Sequence, residues 1–464
     1  MREKKSRYPK AMTAEKHAAA GTSGGPLGIY LHIPFCERKC RYCGFLSFVP
    51  SAADQPHRYA QLLAEEMKLH AVQARAWDAK TAGETATDAC GRHAKGHGRQ
   101  PVDSVFFGGG TPSLLAPEDL LMLLDQVRRC FPLTDDCEIT VETNPESLTR
   151  SKIEALLAGG VNRFSIGMQS LRPASLAVLG RIHDRERALR AYRDLREAGA
   201  ANINIDLMFA YPGHQAAAWQ EDLKEVVALQ PDHISAYSLQ LEEGSAFYRD
   251  YKAGRIDLPE DAQERAMYHQ ACRFLASKGY AHYEISNWAA QGKACRHNMK
   301  YWRMRPFLGL GLGASSFYQS ARYRNFADPA RYEKALLLER LPIERIEEQA
   351  DAAAADPLPG LCVEAARNPE PLWIQEDIYC MTALRTRRGI LYAEFSALFG
   401  EAFASVYDAV DYRRWIAQGF LEETEQGLAL TVAGIDRSNE IMADFLRESA
   451  PQSHAAESER RTRR

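Results

Sequence analysis

Six runs of apolar, β-branched and aromatic residues recur along the chain, and segments with apolar residues at helical spacing separate them. The runs are 27–35, 104–110, 138–144, 163–170, 202–210 and 233–241. The intervening segments include 118–131 and 151–160, and the second ends in two glycines, as helices commonly do. Because strands that alternate with helices are joined by right-handed crossovers, the pattern predicts an α/β fold, a partial (β/α)6 barrel with parallel strands.

Polar residues lie at or beside the carboxyl ends of four of these predicted strands. They are Thr111, Glu142, Gln169 and Asp206. In closed barrels of eight such units, the carboxyl ends of the strands form the site. We therefore expect these four side chains to line a site at one end of the barrel.

The pattern breaks at 73–101, which is rich in Ala, Gly and charge, and again at 346–371. We predict a surface insertion at the first segment, and a loop with a domain boundary at the second. Helices and a small hairpin follow, in the order typical of a mainly helical, winged-helix-like domain. The predicted organisation is a flexible tail at 1–26, a barrel at 27–260, a barrel extension at 261–345, the C-terminal domain at 372–449 and a flexible tail at 450–464.

Composition narrows the functional classes. The chain of 464 residues has a formal net charge of −3, which gives no general attraction to nucleic acid or to a membrane surface. It has no apolar run of 18 residues, so we expect no transmembrane segment, and its basic start lacks the apolar region of a secretory signal. The C-terminal domain lacks a dense basic helix, which favours packing or a lid over DNA binding.

Three of the ten cysteines, Cys36, Cys40 and Cys43, follow the first predicted strand within eight positions. A structural zinc site normally uses four ligands in two pairs, and no second pair at such spacing follows. A redox pair would not need the third thiol. An iron–sulfur cluster takes four thiolates, so three leave one iron free to bind another ligand. The spacing favours this last interpretation, whereas Cys90, His93 and His97 lack an apolar surround that would hold a metal.

The CxxxCxxC motif after a strand resembles the signature of the radical S-adenosylmethionine (SAM) superfamily. That resemblance implies a [4Fe–4S] cluster whose fourth iron chelates SAM and whose electron cleaves it to a 5′-deoxyadenosyl radical. Further motifs resemble the oxygen-independent coproporphyrinogen III oxidases and their heme-chaperone relatives. They are HIPFC before the cluster, FFGGGTPS (106–113), VETNPE (141–146), FSIGMQS (164–170), LGRIH (179–183) and NIDLMFAYPG (204–213).

The resemblance implies which residues hold the cofactors. Cys36, Cys40 and Cys43 would hold the cluster. Glycines such as those of GGGTP let a backbone come close to a ligand. The residues that would hold SAM are Tyr30, Tyr42, Gly109, Gly110, Thr111, Glu142, Gln169, Arg181 and Asp206. No catalytic residue is assigned.

Two features separate the oxidases from the chaperones. Phe45 stands where the oxidases carry a further cysteine, and residues 1–26 offer little apolar material for the oxidases' N-terminal segment. Residues 297–302 instead fit the HNxxYW pattern of the HemW-type heme chaperones, which makes His297 a candidate heme ligand and Cys295 a second or alternative one. From the residues alone, a core histidine with packed aromatic neighbours is favoured; the resemblance favours heme.

The resemblance therefore implies a cytoplasmic heme chaperone that delivers heme to acceptor proteins. These acceptors would include membrane-bound respiratory hemoproteins, and the chaperone would then contact the membrane peripherally. A reductant protein would be a further partner, and nucleic acid would not. Its cofactors would be a [4Fe–4S] cluster, SAM and heme. Two alternative functions stay open: an oxygen-independent coproporphyrinogen III oxidase and a radical SAM enzyme on another substrate. Whether the protein cleaves SAM productively also stays open.

Overall fold

The computed structural model describes residues 25–81, 100–318, 321–344 and 371–447, without the side chains of 73–81 and 344. The first helix extends through Thr81, into the segment predicted to be an insertion. The rest of that insertion, with Cys90, His93 and His97, lies outside the described residues. So do nearly all of the predicted loop at 346–371 and of both predicted tails.

The six predicted strands are present and pair in parallel with their neighbours in chain order. They are β1 (Leu27–Ile33), β2 (Val102–Gly109), β3 (Leu133–Thr143), β4 (Arg163–Gln169), β5 (Ile203–Phe209) and β6 (His233–Ser238). The helices between them are α1 (Gln55–Thr81), α2 (Pro117–Cys130), α3 (Arg150–Ala158), α4 (Pro173–Leu179), α5 (Arg185–Glu197) and α6 (Ala216–Ala228). Short 3-10 helices lie at Pro112–Leu114 and Pro145–Ser147. The predicted parallel α/β architecture is confirmed.

The sheet continues beyond these six strands on both sides, to twelve strands within the described residues. The additional strands are β7 (Ala281–Glu284), β8 (Asn287–Ala289), β9 (Phe307–Leu310), β10 (Ser315–Tyr318), β11 (Ala321–Asn325) and β12 (Ile343–Glu344). Strand β9 pairs in parallel with β1, and the remaining additions are antiparallel. The helices of this region are α7 (Ala246–Lys252), α8 (Asp261–Ser277), α9 (Arg296–Trp302) and α10 (Pro329–Leu337).

Alternate residues of the parallel strands face opposite sides of the sheet, and the two sides differ in chemistry. One side is apolar and packs in the main core with the surrounding helices; it includes Ile29, Leu31, Val105, Phe107, Val141, Phe164, Ile166, Ile205 and Leu207. The other side is largely polar and includes Tyr30, Ser104, Thr140, Glu142, Arg163, Ser165, Asn204, Asp206 and His233. The apolar side holds the helices in place, which leaves the inner side of the barrel available for a polar site.

The C-terminal region is mainly helical, as predicted. Its helices are Leu372–Ala383, Tyr392–Phe399, Phe403–Val406, Arg413–Ala417, Val432–Ile435 and Ser438–Ala443. A three-stranded antiparallel sheet of Ile390–Leu391, Gly427–Leu430 and Leu421–Thr424 contains the predicted hairpin. Arg303, just after α9, ties this region to the barrel by donating to the Gly389 carbonyl at 2.9 Å and to Glu394 at 3.2 Å. Of the helices described, none is both long and apolar enough to cross a bilayer.

Candidate functional site

The three clustered cysteines lie on the loop that follows β1, at the carboxyl end of the barrel. All three thiols are free; Cys36 is buried, and Cys40 and Cys43 are half-buried. The start and the end of the loop are pinned together, because Cys36 N donates to the Phe48 carbonyl at 3.0 Å and Phe48 N donates to the Pro34 carbonyl at 2.9 Å. The loop is therefore a closed unit that presents its thiols above the strand ends.

Three free thiols on one loop, two of them hydrogen-bonded, suit the ligands of an iron–sulfur cluster. In the described part of the chain, no group of three or more His, Cys, Asp or Glu side chains is placed to hold one metal ion. The thiolates of an iron–sulfur cluster bind different irons, so they do not converge on one point. Two of the sulfur atoms also accept hydrogen bonds, which suits thiolates that carry negative charge.

These hydrogen bonds form a chain that joins Cys36 to Cys40 across the strand ends. Thr111 Oγ1 donates to Cys36 Sγ at 3.6 Å and accepts from Asn144 Nδ2 at 2.9 Å. Asn144 Oδ1 accepts from Arg181 Nη2 at 2.6 Å, and Arg181 Nη1 reaches Cys40 Sγ at 3.3 Å. The ends of β2 and β3 and the turn after α4 are thus connected to the cysteine loop.

The glycines after β2 allow this close approach. Gly110 N and Thr111 N donate to the carbonyls of Ile33 and Phe35, at 2.8 and 2.7 Å. A Cβ at Gly110 would lie 2.6 Å from the Phe35 carbonyl oxygen, which is too close for any other residue. Gly109 has a φ of 115°, a conformation that side chains disfavour. These glycines therefore let two backbone segments approach closely, and the predicted approach to SAM stays a prediction.

Glu142 is a carboxylate of the inner face with a strongly raised pKa. Its Oε2 accepts from Gly109 N at 3.1 Å. Burial raises the pKa of Glu142 to about 8, and the negative charge of Asp206 adds to this effect, while the Gly109 N–H and Arg163 oppose it. A cationic ligand beside Glu142 would favour the ionised carboxylate, because the pair would then carry opposite charges.

We expect Glu142→Gln to remove a pH-dependent loss of stability. The folded chain holds the Glu142 proton up to a pKa of about 8, whereas the ordinary value is 4.5. Wild type therefore loses stability as pH rises from 4.5 to 8. The free energy of unfolding of Glu142→Gln relative to wild type should increase by roughly 1–3 kcal/mol across that window. Urea unfolding at pH 5 and pH 8 measures the difference. Glu243→Gln, at an exposed position, is the control; equal pH profiles for wild type and Glu142→Gln would contradict the expectation.

Asp206 and Gln169 occupy different heights in the barrel. Asp206 lies in the middle of β5, below the strand end, where it accepts from Ser165 Oγ at 2.9 Å and from Asn204 Nδ2 at 2.7 Å. Burial raises the pKa of Asp206. Gln169 is the last residue of β4 and has a φ of 65°, a strained conformation for a side chain that is not glycine.

The two predicted tyrosines lie in different surroundings. Tyr30 is on the inner face of β1, and its hydroxyl is 3.0 Å from His32 Nδ1. Tyr42, on the cysteine loop, packs against a small apolar cluster separate from the main core. That cluster consists of Leu179, Met208, Tyr211, Leu239 and Phe247.

Helix α9, which carries the HNxxYW pattern, lies at the opposite end of the strands. Lys300 Nζ donates to the Pro26 carbonyl at 2.7 Å and is 2.6 Å from Asp103 Oδ1, and these residues lie at the amino ends of β1 and β2. Glu138 Oε1 accepts from Arg296 N at 3.0 Å and from His297 N at 3.3 Å. We call α9, where it closes the amino end of the barrel, the barrel floor.

His297 is enclosed in this floor, with 1% of its surface exposed. Its Nδ1 is 3.0 Å from Ser104 Oγ, its Nε2 is 2.9 Å from Tyr301 Oη, and its ring stacks on Phe106 with centroids 5.2 Å apart. Burial is the main reason why the pKa of His297 falls to about 3. Cys295 is also buried, with its thiol 3.6 Å from Glu138 Oε1.

This geometry matches the core-histidine interpretation. Neither His297 nitrogen is free, so binding iron through Nε2 would require the contact with Tyr301 to break and the floor to open. A heme-ligand role for His297 stays a prediction, and so does one for Cys295.

Two residues that the sequence did not single out belong to the site. Asn144 links Thr111 to Arg181, and His32 Nε2 is 2.9 Å from the Leu46 carbonyl of the cysteine loop. Asn144 lies within the VETNPE motif and His32 within the HIPFC motif, so membership of these motifs could have indicated both residues.

Comparisons with known proteins agree with this geometry. Residues 30–226 match the family model of the radical SAM superfamily, and residues 380–437 match that of the HemN C-terminal domain. Heme chaperone HemW of Mycobacterium tuberculosis is 35% identical over 327 residues, which cover 70% of this chain and 78% of that protein. Heme chaperone HemW of Bacillus subtilis is 28% identical over 421 residues, 90% of this chain and 99% of that protein.

Among solved structures, coproporphyrinogen III oxidase (HemN) of Escherichia coli, described as a radical SAM enzyme, resembles this chain with a TM-score of 0.69. The match covers 92% of this chain and 91% of that one, at 21% identity. At this identity the likeness shows a shared fold alone.

Proposed function

Because the chain belongs to the HemW family of radical SAM proteins, we propose that it is a heme chaperone, which binds heme and transfers it to acceptor hemoproteins. The observation that carries the proposal is the 35% identity to a heme chaperone across 78% of that protein. Phe45 of the cysteine loop supports the proposal, because the oxidases carry a further cysteine at this position. Its side chain is 69% exposed.

The residues of the carboxyl end fit the cofactors of this proposal. Cys36, Cys40 and Cys43 would hold a [4Fe–4S] cluster, because the three thiols are free and two of them accept hydrogen bonds from the barrel. When bound, such a cluster supplies single electrons and one iron without a protein ligand. Thr111 and Arg181 would fix the sulfur atoms they contact.

SAM would lie over the inner face of the strands next to this loop. Glu142 would bind a positive charge of SAM, with Gly109 holding the carboxylate in place. The same proposal includes the remaining predicted SAM contacts, which come from Tyr30, Tyr42, Gly110, Thr111, Gln169, Arg181 and Asp206.

We also propose that the protein works in the cytoplasm with a reductant protein, and that its acceptors include membrane-bound hemoproteins. The cysteines support the compartment, because every cysteine in the described ranges is a free thiol, as reducing compartments favour.

The test begins with anaerobic reconstitution with iron and sulfide, followed by hemin titration monitored at the Soret band. The same samples are then assayed for coproporphyrinogen III conversion with SAM and a reductant, and for heme transfer to an apo-hemoprotein. We expect binding near one heme per chain, transfer, and no conversion. Conversion with little heme uptake would instead establish the oxidase, the main rival function.

A further inference from the structure

Three large apolar side chains stand exposed on the cysteine loop, directly after the third cysteine. The exposed fractions are 69% for Phe45, 36% for Leu46 and 54% for Val49. We call these three residues the lip. Contiguous exposed apolar side chains beside a site commonly mark a binding surface, because folding otherwise removes such side chains from water.

The lip is held in this exposed position from below. The Leu46 carbonyl is 2.9 Å from His32 Nε2, and Lys39 Nζ donates to the Phe45 carbonyl at 3.1 Å. The neighbouring Phe48 turns inward and packs edge-on against Phe35, with ring centroids 5.4 Å apart. The backbone is therefore fixed, and the apolar side chains point to solvent on a supported surface.

The glycine-rich segment after β9 supports the lip from the other side. A Cβ at Gly313 would lie 2.5 Å from Leu46 Cδ2, so the absence of a side chain there makes room for Leu46. Gly311 N in turn donates to the buried Glu66 at 2.8 Å, which anchors this segment to α1. Gly311 and Gly313 therefore have a local structural role beside the lip.

Two exposed cations lie on the same loop, and Lys39 contacts the lip through the Phe45 carbonyl. Lys39 and Arg38 are exposed, and the structure gives neither an acidic partner in the described part of the chain. Arg38 donates to the carbonyls of Gly180 and Arg181, at 2.6 and 3.0 Å, so its charge is placed but not neutralised. Carboxylates also lie on or beside this loop: Glu37 is exposed on the loop itself, Glu242 lies against Gly44, and Asp250 pairs with Arg41 at 2.8 Å.

We propose that heme docks on the lip, with its apolar ring against Phe45, Leu46 and Val49 and its propionates toward Lys39 and Arg38. This inference rests on the proposed function, and it places the heme at the end of the barrel opposite His297. Heme combines a flat apolar face with two carboxylates, the same pair of chemistries that the lip and its cations present. An exposed surface also leaves the other face of the ring open to an acceptor, which suits a protein that must release its cargo.

Hemin titration of the full chain tests the lip directly. We expect Phe45→Ser combined with Val49→Ser to weaken hemin binding at least tenfold, with iron and sulfide content unchanged. Leu337→Ser combined with Leu338→Ser is the matched control, because these leucines are 72% and 54% exposed at the end of α10. Arg38→Gln should weaken hemin binding but leave the binding of heme dimethyl ester, which lacks the carboxylates, as in wild type.

The outcomes separate the two proposals. If the wild-type chain takes up no hemin, the heme-chaperone function fails. If wild type binds and the lip variant binds equally well, the lip assignment is overturned and the function stands. A lip variant that binds hemin normally but no longer transfers it would make the lip an acceptor surface, which also overturns the assignment.

Discussion

Cys40→Ala is expected to lose the bulk of its reconstituted cluster. Cys40 supplies one of the three thiols of the loop, and Arg181 directs a hydrogen bond to its sulfur at 3.3 Å. Alanine would leave a second iron without a protein ligand and would leave the buried guanidinium without one of its acceptors. We expect iron and inorganic sulfide per chain to fall by about tenfold or more after anaerobic reconstitution, since the loss of outer hydrogen-bond partners alone can cost that much.

The control for Cys40→Ala is Cys272→Ser, which changes a half-buried cysteine on α8 outside the loop. Circular dichroism should show that both variants fold, and only Cys40→Ala should lose the visible absorbance of the cluster. Wild-type iron and sulfide in Cys40→Ala would mean that other residues hold the metal, and the assignment of the three cysteines would then be wrong.

The sequence predicted the parallel strands well because each has an apolar face toward the helices and a polar face toward the barrel. Strand β3 shows where the local pattern weakens. It begins at Leu133, five residues before the apolar run at 138. The exposed residues Asp135 and Asp136 lie in this first part of the strand, so the hydrophobic pattern does not reveal it. Strand β9 could not be placed from its sequence, because its position depends on pairing Gly28 with Phe307, far apart in the chain.

In the site, too, the sequence predicted what depends on neighbouring residues and missed what depends on contacts between distant ones. Cys36, Cys40 and Cys43 lie close together in the sequence, so their spacing alone predicts shared chemistry. The contact of Arg181 with Asn144 joins residues from different βα units, and only the folded barrel brings them together. The position of His297 also depends on contacts between distant parts of the chain, such as the ion pair of Lys300 on α9 with Asp103 at the amino end of β2.

The largest effect on stability is expected from His297→Ala in the barrel floor. The substitution would leave a cavity beside Phe106 and would remove the partner of both Ser104 and Tyr301. A cavity and unsatisfied buried hydroxyls each cost stability, so we expect the free energy of unfolding to fall by about 3–5 kcal/mol. The control, His269→Ala on α8, removes a partly exposed pair with Asp436 and should cost less than about 1 kcal/mol.

The pH dependence of this effect has a definite sign. Folding lowers the pKa of His297 from 6.5 to about 3, so the unfolded chain binds more protons between these values. The stability that wild type holds over His297→Ala should therefore be complete above pH 6.5 and should shrink as pH falls toward 3. Urea unfolding of both proteins at pH 7.5 and pH 5 measures it; a constant difference would show that His297 does not stay neutral in the floor.

Tyr301→Phe separates the two roles of His297, because it keeps the ring and removes only the hydroxyl that contacts Nε2. If Nε2 binds heme iron, this variant frees it and should strengthen hemin binding, while His297→Ala should abolish binding. If His297 serves only to hold the floor, Tyr301→Phe should lose about 1–2 kcal/mol of stability, and both variants should bind hemin as wild type does at a temperature where they remain folded. We expect the second result, because heme at the lip and a closed floor at the other end of β1 are compatible, whereas iron at His297 requires the barrel to open.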